Sequence, residues 1–359
     1  MSNKKLRALA VILPQFHPIP ENDKWWGKGF TEWTNVVKTT PRFKGHYQPH
    51  LPSDLGYYDL RLPQTRQHQA DLAKAHDIFG FCIHHYWFNG KRLLEAPVDG
   101  MLATGKPDFP FMLCWANENW TRRWDGLDKE VLMEQKYGIE DHRAHAKWLC
   151  DNVFKDPRYI CVDGKPFFLF FNSHIIPDLK ETIAVWREEV QKHGFSDIYL
   201  GGVRTGQNQI KDAKELGFDV IIDWQPDWDN LHTQTSFFDK IRSKLGFGKS
   251  YRSIPYETVV DRMLAKKPTE FKHYQCIMPS WDNSARRKQN AFLISDAHPD
   301  AYERWLGEIC KNAQVYSEQE NFVFINAWNE WAEGNHLEPD QKWGRKYLEK
   351  TKAILEKYL

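Results

Sequence analysis

Phe322-Val323-Phe324-Ile325-Asn326-Ala327-Trp328-Asn329-Glu330-Trp331-Ala332-Glu333-Gly334 opens as an apolar run and closes on two glutamates three residues apart among tryptophans. A segment apolar at nearly every position is what a strand covered on both faces looks like. Working outward from 322–327, seven more runs read the same way: 8–13, 80–86, 111–115, 167–171, 198–202, 219–222 and 274–278. Between most of them apolar residues return at three-and-four spacing. Ile183, Trp186 and Val190 do so, as do Tyr302, Trp305, Leu306, Ile309, Cys310 and Ala313, while Leu348, Ile354, Leu355 and Tyr358 predict a closing helix.

Eight strands alternating with helices over 359 residues favour a closed parallel barrel over an open doubly wound sheet. The predicted fold is therefore α/β, a single (β/α)8 TIM-type barrel occupying 1–359, with no linker or internal repeat to mark a second domain. In such barrels the active site lies at the carboxyl ends of the strands. Polar and aromatic residues gather there: Gln15 and His17 after the first run, His84, His85, Tyr86 and Trp87 at the second, and Trp115, Asn117, Glu118 and Trp120 at the third. Asn172 and His174 follow the fourth, Arg204 the fifth, Trp224 the sixth, Trp281 and Asp282 the seventh, and Asn329, Glu330 and Trp331 the eighth. Connections 14–60, 116–138 and 223–253 are long and all follow strands, so they are predicted to roof that face. Asp163-Gly164 predicts a tight turn into the fourth strand, closing a small hairpin with 159–162.

Forty-nine Lys and Arg against 48 Asp and Glu leave a net charge of +1, which gives no electrostatic case for a nucleic acid or an anionic membrane surface. No stretch approaches the roughly 18 apolar residues of a membrane span. The apolar stretch after Lys4, Lys5 and Arg7 is too short for a signal-peptide core, so a cytoplasmic location is expected. The six cysteines form no C-x-x-C pair and read as reduced, buried thiols. The excess is aromatic, with 16 Trp, 14 Tyr and 22 Phe, and many of these rings stand beside Asn, Asp, Glu, His and Arg, as in 115–124. That mixture suits a sugar, whose C–H faces pack on rings while its hydroxyls need donors and acceptors.

Breaking or making a glycosidic bond needs one carboxyl to protonate the leaving oxygen and a second group at the anomeric centre. An arbitrary Glu-x-x-Glu pair is ordinarily exposed. The position of Glu330 and Glu333 after an apolar strand, between Trp328 and Trp331 and ahead of Gly334, reverses that reading. Burial by these rings and the neighbouring negative charge should raise one carboxyl toward the range of a general acid. Glu118 is the third acidic candidate, either binding a sugar hydroxyl, tuning the catalytic pair, or held in a structural salt bridge with Arg122 or Arg123. His84 and His85 fall on opposite faces of a regular strand, so one should reach the pocket and the other the helical layer. Glu330, Glu333, Glu118, Tyr86 and one of these histidines are expected to line a single pocket. With no H-E-x-x-H or other compact ligand pattern, no metal and no cofactor are expected. Asp227-Trp228-Asp229 has the form of a metal-holding D-x-D, but without a Gly-rich phosphate loop the ordinary reading is a solvated loop.

Several segments also carry a resemblance: 13–18 (LPQFHP), 25–35 (WWGKGFTEWTN), 45–50 (GHYQPH), 85–88 (HYWF), 115–120 (WANENW) and 326–334 (NAWNEWAEG). They resemble the glycoside hydrolase family 99-like proteins of the WbsX glycosyltransferase type, over essentially the whole chain. The resemblance implies a (β/α)8 barrel related to endo-α-mannosidases that retain anomeric configuration without a covalent enzyme intermediate. It also implies that Glu330 assists the substrate 2-hydroxyl and that Glu333 is the general acid and then base. His17, Trp33, His84, His85, Tyr86, Trp87, Trp115, Asn117, Glu118, Trp120, Arg204, Trp224, Trp281, Asp282, Asn329 and Trp331 are the expected substrate-binding residues. Three functions stay open: a retaining glycoside hydrolase or transglycosidase acting on an α-linked glycan of bacterial surface polysaccharide, a nucleotide-sugar glycosyltransferase, and a glycan-binding barrel without catalysis.

Overall fold

The computed structural model describes residues 5–122, 127–206, 208–231, 251–267, 269–287 and 289–358. Its main sheet contains eight parallel strands: β1 (Arg7–Ile12), β2 (Ile78–Phe88), β3 (Phe111–Trp115), β4 (Lys165–Phe170), β5 (Tyr199–Arg204), β6 (Val220–Asp223), β7 (His273–Ile277) and β8 (Phe322–Ile325). Each neighbours the next, and β1 closes the ring by pairing with both β2 (Ala10↔Phe81) and β8 (Leu9↔Phe324). The closed (β/α)8 barrel expected from the eight apolar runs is the fold observed.

Among the described residues a helix follows each strand in turn: α1 (Pro63–Ala75), α2 (Ala96–Thr104), α3 (Ile139–Asn152), α4 (Leu179–Lys192), α5 (Ala213–Leu216), α6 (Tyr256–Leu264), α7 (Pro299–Asn312) and α8 (Lys346–Leu355). Their apolar stripes face the sheet. In α4, Ile183, Trp186 and Val190 are buried, and Trp186 stacks on Phe168 of β4 with ring centres 5.0 Å apart. Helix α7 starts where His298 accepts a hydrogen bond from Asp300 N and Pro299 takes the first helical position, whose N–H has no partner in any helix. It ends one residue before Ala313, and α8 ends at Leu355 with Tyr358 in a following 3-10 turn.

The interior of the barrel is packed with side chains. Phe167 of β4 lies 5.5 Å from Phe322 of the opposite strand β8 and 6.3 Å from Tyr274 of β7. Such a plug closes the lumen, and the active sites of barrels of this kind lie at the carboxyl ends of the strands. On the other end, Asp163 (φ 49°) and Gly164 (φ 74°) form the tight turn between Cys161–Val162 and β4, with both residues in the left-handed region that such a turn requires. Five cysteines are buried and Cys161 is half-buried, so the expectation of wholly buried thiols holds for all but that one.

The long connections carry structure of their own. Residues between β1 and α1 contain the short helices Pro20–Trp26 and Glu32–Val37, the second begun by a capping box between Thr31 and Thr34. Leu13, Phe16, Trp33, Val36, Tyr58 and Leu60 of this connection form one apolar cluster with Trp331 and Ala332 of the β8 connection. That packing brings Glu32 beside Glu330 and Glu333. After β3, Trp120–Arg122 pairs antiparallel with Leu127–Met133. After β6, Tyr251–Pro255 joins a three-stranded sheet with Ala291–Ser295 and Trp281–Asp282. No helix among the described residues is long and apolar enough to cross a membrane.

Candidate active site

A cavity of about 690 Å³ opens at the carboxyl ends of the strands, and every barrel strand contributes to its wall, from its own carboxyl end or from its following segment. Gln15 comes from β1, His84 and Tyr86 from β2, Glu118 and Trp120 from β3, Asn172 from β4, Thr205 from β5, and Trp224 and Trp228 from β6. Trp281 and Arg286 follow β7, and Glu330 and Glu333 follow β8. Trp25 and Trp26 add rings from the β1 connection.

The floor is built around one cation. The Arg286 guanidinium places Nη2 at 2.6 Å from Glu32 Oε1 and 2.8 Å from Glu330 Oε2, and Nη1 at 2.5 Å from Glu333 Oε1. Local turns hold it in place: Asp282 accepts from Ser284 N at 2.9 Å, Asn283 accepts from Phe292 N at 2.8 Å, and the 3-10 turn Asn283–Ala285 delivers Arg286 inward. Burial opposes the guanidinium's charge, but Glu32, Glu333 and Glu330 outweigh it and hold Arg286 well above its usual range.

Three carboxyls around one guanidinium cannot all ionise cheaply in a buried site. Burial pushes Glu333 up to about 7, with Glu330 adding to the rise and Arg286 opposing it. Burial also raises Glu32, which has no exposed surface, against the pull of Arg286. A carboxyl near 7 can both give and take a proton at neutral pH. Burial lowers His84 despite Glu330 and Glu333, so it is neutral beside them, and Tyr86 is raised by burial and then by Glu330, so it keeps its proton.

The pleat of β2 sorts its residues. His84 and Tyr86 line the cavity, whereas His85 and Trp87 face α3, where His85 Nε2 is 2.9 Å from His145 Nε2 and Trp87 stacks on His145 at 4.5 Å. Glu118 accepts from Asn172 Nδ2 at 2.9 Å at the rim; Arg123 and the Arg122 side chain lie outside the described residues.

Of the expected substrate-binding residues, His84, Tyr86, Glu118, Trp120, Trp224 and Trp281 line the cavity, and the other ten do not. His17 is buried away from it, and Trp33 donates Nε1 to Tyr58 O at 2.9 Å within the apolar cluster. His85 and Trp87 serve the helical layer, where fully buried Trp115 also meets His145, 5.0 Å away. Asn117 donates to Asn172 O and accepts from Asn172 N, tying β3 to β4. Arg204 is taken up by Asp223 at 2.8 Å from Nε, and Asp282 by His46 and Gln48. Asn329 bridges both backbone groups of Leu13, and Trp331 stacks on His336 and donates to Glu338. Of the sixteen polar and aromatic residues expected to meet a sugar, six line the cavity, and most of the other ten hold the surrounding segments together.

Asp227 is likewise engaged: it accepts from Lys266 Nζ and Asn230 Nδ2, each at 2.8 Å, while Asp229 accepts from Gln209 Nε2 at 2.6 Å. Arg286 and Glu32, which organise the floor, were not among the candidates. Glu32 lies within the 25–35 segment, but Arg286 sits in a turn with no periodicity, and only the need of clustered acids for a cation could have pointed to it.

The fold and site together are a parallel (β/α)8 barrel whose strand ends converge on clustered carboxyls among tryptophans. The chain belongs to the WbsX glycosyltransferase family, matching the family described as Glycosyltransferase WbsX over residues 8–351. It is 38% identical over 348 residues to the WxcX protein of two strains of Xanthomonas campestris pv. campestris. That match covers 97% of this chain and 49% of each relative, so the chain spans about half their length. Among solved structures it shares its fold with a glycoside hydrolase-like protein, at 14% identity and TM-score 0.63, covering 100% of this chain and 95% of that one. The glycoside hydrolase family 99 endo-α-mannosidase of Bacteroides thetaiotaomicron is similar too, with 12% identity, TM-score 0.60, and 98% and 97% of the two chains covered.

Proposed function

We propose that this chain is a retaining glycoside hydrolase or transglycosidase that acts on an α-linked glycan, of mannose type, in the cytoplasmic metabolism of bacterial surface polysaccharide. The observation that carries the reading is the sharing of Arg286 by Glu330, Glu333 and Glu32 beneath a cavity walled by tryptophans. Glu333, held near 7, protonates the glycosidic oxygen as the C1–O bond breaks. The substrate's own 2-oxygen bonds to C1 in the same step, and Glu330 takes the 2-hydroxyl proton. Water, or an acceptor hydroxyl, then opens that internal ring at C1: it gives its proton to Glu333, and the 2-oxygen regains one from Glu330. The stereochemical course and the mannose-type sugar are carried over from the resemblance to endo-α-mannosidases.

The family description favours a second reading, transfer from a nucleotide sugar. The engagement of Asp227 by Lys266 and of Asp229 by Gln209 weighs against a D-x-D metal site serving it. A silent glycan-binding barrel would have no use for a carboxyl raised toward neutrality. Purified protein screened against α-linked oligosaccharides, with and without nucleotide sugars, tests the proposal. Cleavage or exchange without a nucleotide supports it, and product formed only with a nucleotide sugar supports the transferase.

A further inference from the structure

His50, His336 and Asp340 take no part in lining the cavity, yet they converge beside it. One ligand atom from each lies within 4.8 Å of the others. His50 Nδ1 is 2.9 Å from His336 Nε2, which is 4.0 Å from Asp340 Oδ2. All three residues are buried, at 8%, 5% and 4% exposure. We propose that they form a structural site for a divalent transition metal of the zinc class, clamping the connection after β1 to the connection after β8.

Tetrahedral coordination at about 2.0–2.1 Å from imidazole nitrogens puts neighbouring ligand atoms about 3.3 Å apart, a value inside the observed spread. The tautomer is set in the same sense. His336 Nδ1 lies 2.9 Å from Glu338 O, so its N–H is donated there and Nε2 turns its lone pair toward His50 and Asp340. A backbone carbonyl behind a ligating histidine is the usual outer support of such a metal. Two imidazoles and one carboxylate suit zinc or cobalt, and offer too few oxygens for calcium or magnesium.

The scaffold around the three residues is already in register. Gln341 N donates to Leu51 O at 2.9 Å and Ser53 N to Pro339 O at 3.0 Å, so backbone hydrogen bonds join the two ligand-bearing segments next to the site. His336 also reaches the chemistry. It stacks on Trp331 with ring centres 3.7 Å apart, and its short strand pairs Asn329 with His336 and Glu330 with Asn335. A metal here would therefore steady the segment that carries Glu330 and Glu333 without touching the substrate.

The competing arrangement is a direct hydrogen bond from His50 Nδ1–H to His336 Nε2. Metal binding by the whole chain separates the two, and the readout is independent of any glycan activity. Protein stripped with EDTA and titrated with Zn²⁺ should bind one ion per chain. Co²⁺ should give the intense visible absorption of a tetrahedral site. His336→Gln and His50→Gln should weaken binding by at least about 100-fold, the upper range for losing even an outer partner of a metal ligand. Native protein that takes up no stoichiometric Zn²⁺, or whose Co²⁺ spectrum is that of the hydrated ion, would overturn the site. Undiminished affinity in His336→Gln would do so as well. The native Co²⁺ spectrum decides alone should the variants fail to fold.

Discussion

Arg286 and Glu333 meet at 2.5 Å between Nη1 and Oε1, and the other terminal nitrogen of the same guanidinium holds Glu330 and Glu32. Arg286 is thus a cation shared by three acids, of which Glu32 and Glu330 are buried and Glu333 is partly buried. Removing one partner of a buried ion pair leaves uncompensated charge and costs about 3–5 kcal/mol. Arg286→Gln is expected to lower unfolding free energy by about that amount in denaturant titrations. Arg286→Lys keeps the charge but cannot fork to several carboxylates and should fall between the two. A glutamine variant as stable as the native protein would remove Arg286 from the centre of the site.

Glu333 makes stability depend on pH. Its carboxyl lies near 7 in the folded chain against an ordinary 4.5, raised first by burial, so between those values the folded state binds more protons than the unfolded state. Stability should be greatest at the acid end of this window and fall as pH rises through about 7. Glu338, also raised to about 7 by burial, adds a slope of the same sign. Glu333→Gln should therefore flatten melting temperature against pH without levelling it. Identical slopes in the two proteins would mean that Glu333 is already ionised at pH 5.

The same sequence that displayed the barrel concealed Arg286. Eight apolar runs are legible because both faces of a parallel strand are covered, and the glutamates stand out because a buried strand runs straight into them. Trp115, Trp331 and Asn329 lie as near to strand ends, but the pleat or a backbone hydrogen bond turns them to packing. One sequence position does not say which way a side chain points. His84 and His85 differ only in that respect, and one meets the cavity while the other meets His145.

Gly80 offers a test of how tightly the strands are seated. A Cβ there would stand 2.7 Å from Pro110 O, a backbone atom that cannot swing aside. Gly80→Ala should cost about 1–3 kcal/mol through overpacking, read as a lower denaturation midpoint with an unchanged slope. A neutral effect would show that β2 and the segment entering β3 can move apart.

The proposed internal nucleophile makes its own demand on the substrate. Under the proposed mechanism, a glycan lacking the 2-hydroxyl at the cleaved residue gives Glu330 nothing to activate and should be turned over at least about 100-fold more slowly, the low end for loss of proton-transfer assistance. Normal turnover of the 2-deoxy analogue, or a glycosyl group trapped on a carboxylate, would replace this mechanism with direct nucleophilic attack by the enzyme.

The proposed division of labour between the two glutamates is tested most directly by kcat/KM of native protein, Glu330→Gln and Glu333→Gln on one α-linked oligosaccharide and on its aryl glycoside, without nucleotide sugar. An activated aryl leaving group needs little protonation, so Glu333→Gln should lose about 10²- to 10⁴-fold on the oligosaccharide and much less on the aryl glycoside. Glu330→Gln should lose a similar factor on both. Near-native rates in both variants, or equal losses on both substrates for Glu333→Gln, would contradict the assignment of Glu333 as the proton donor and Glu330 as the base.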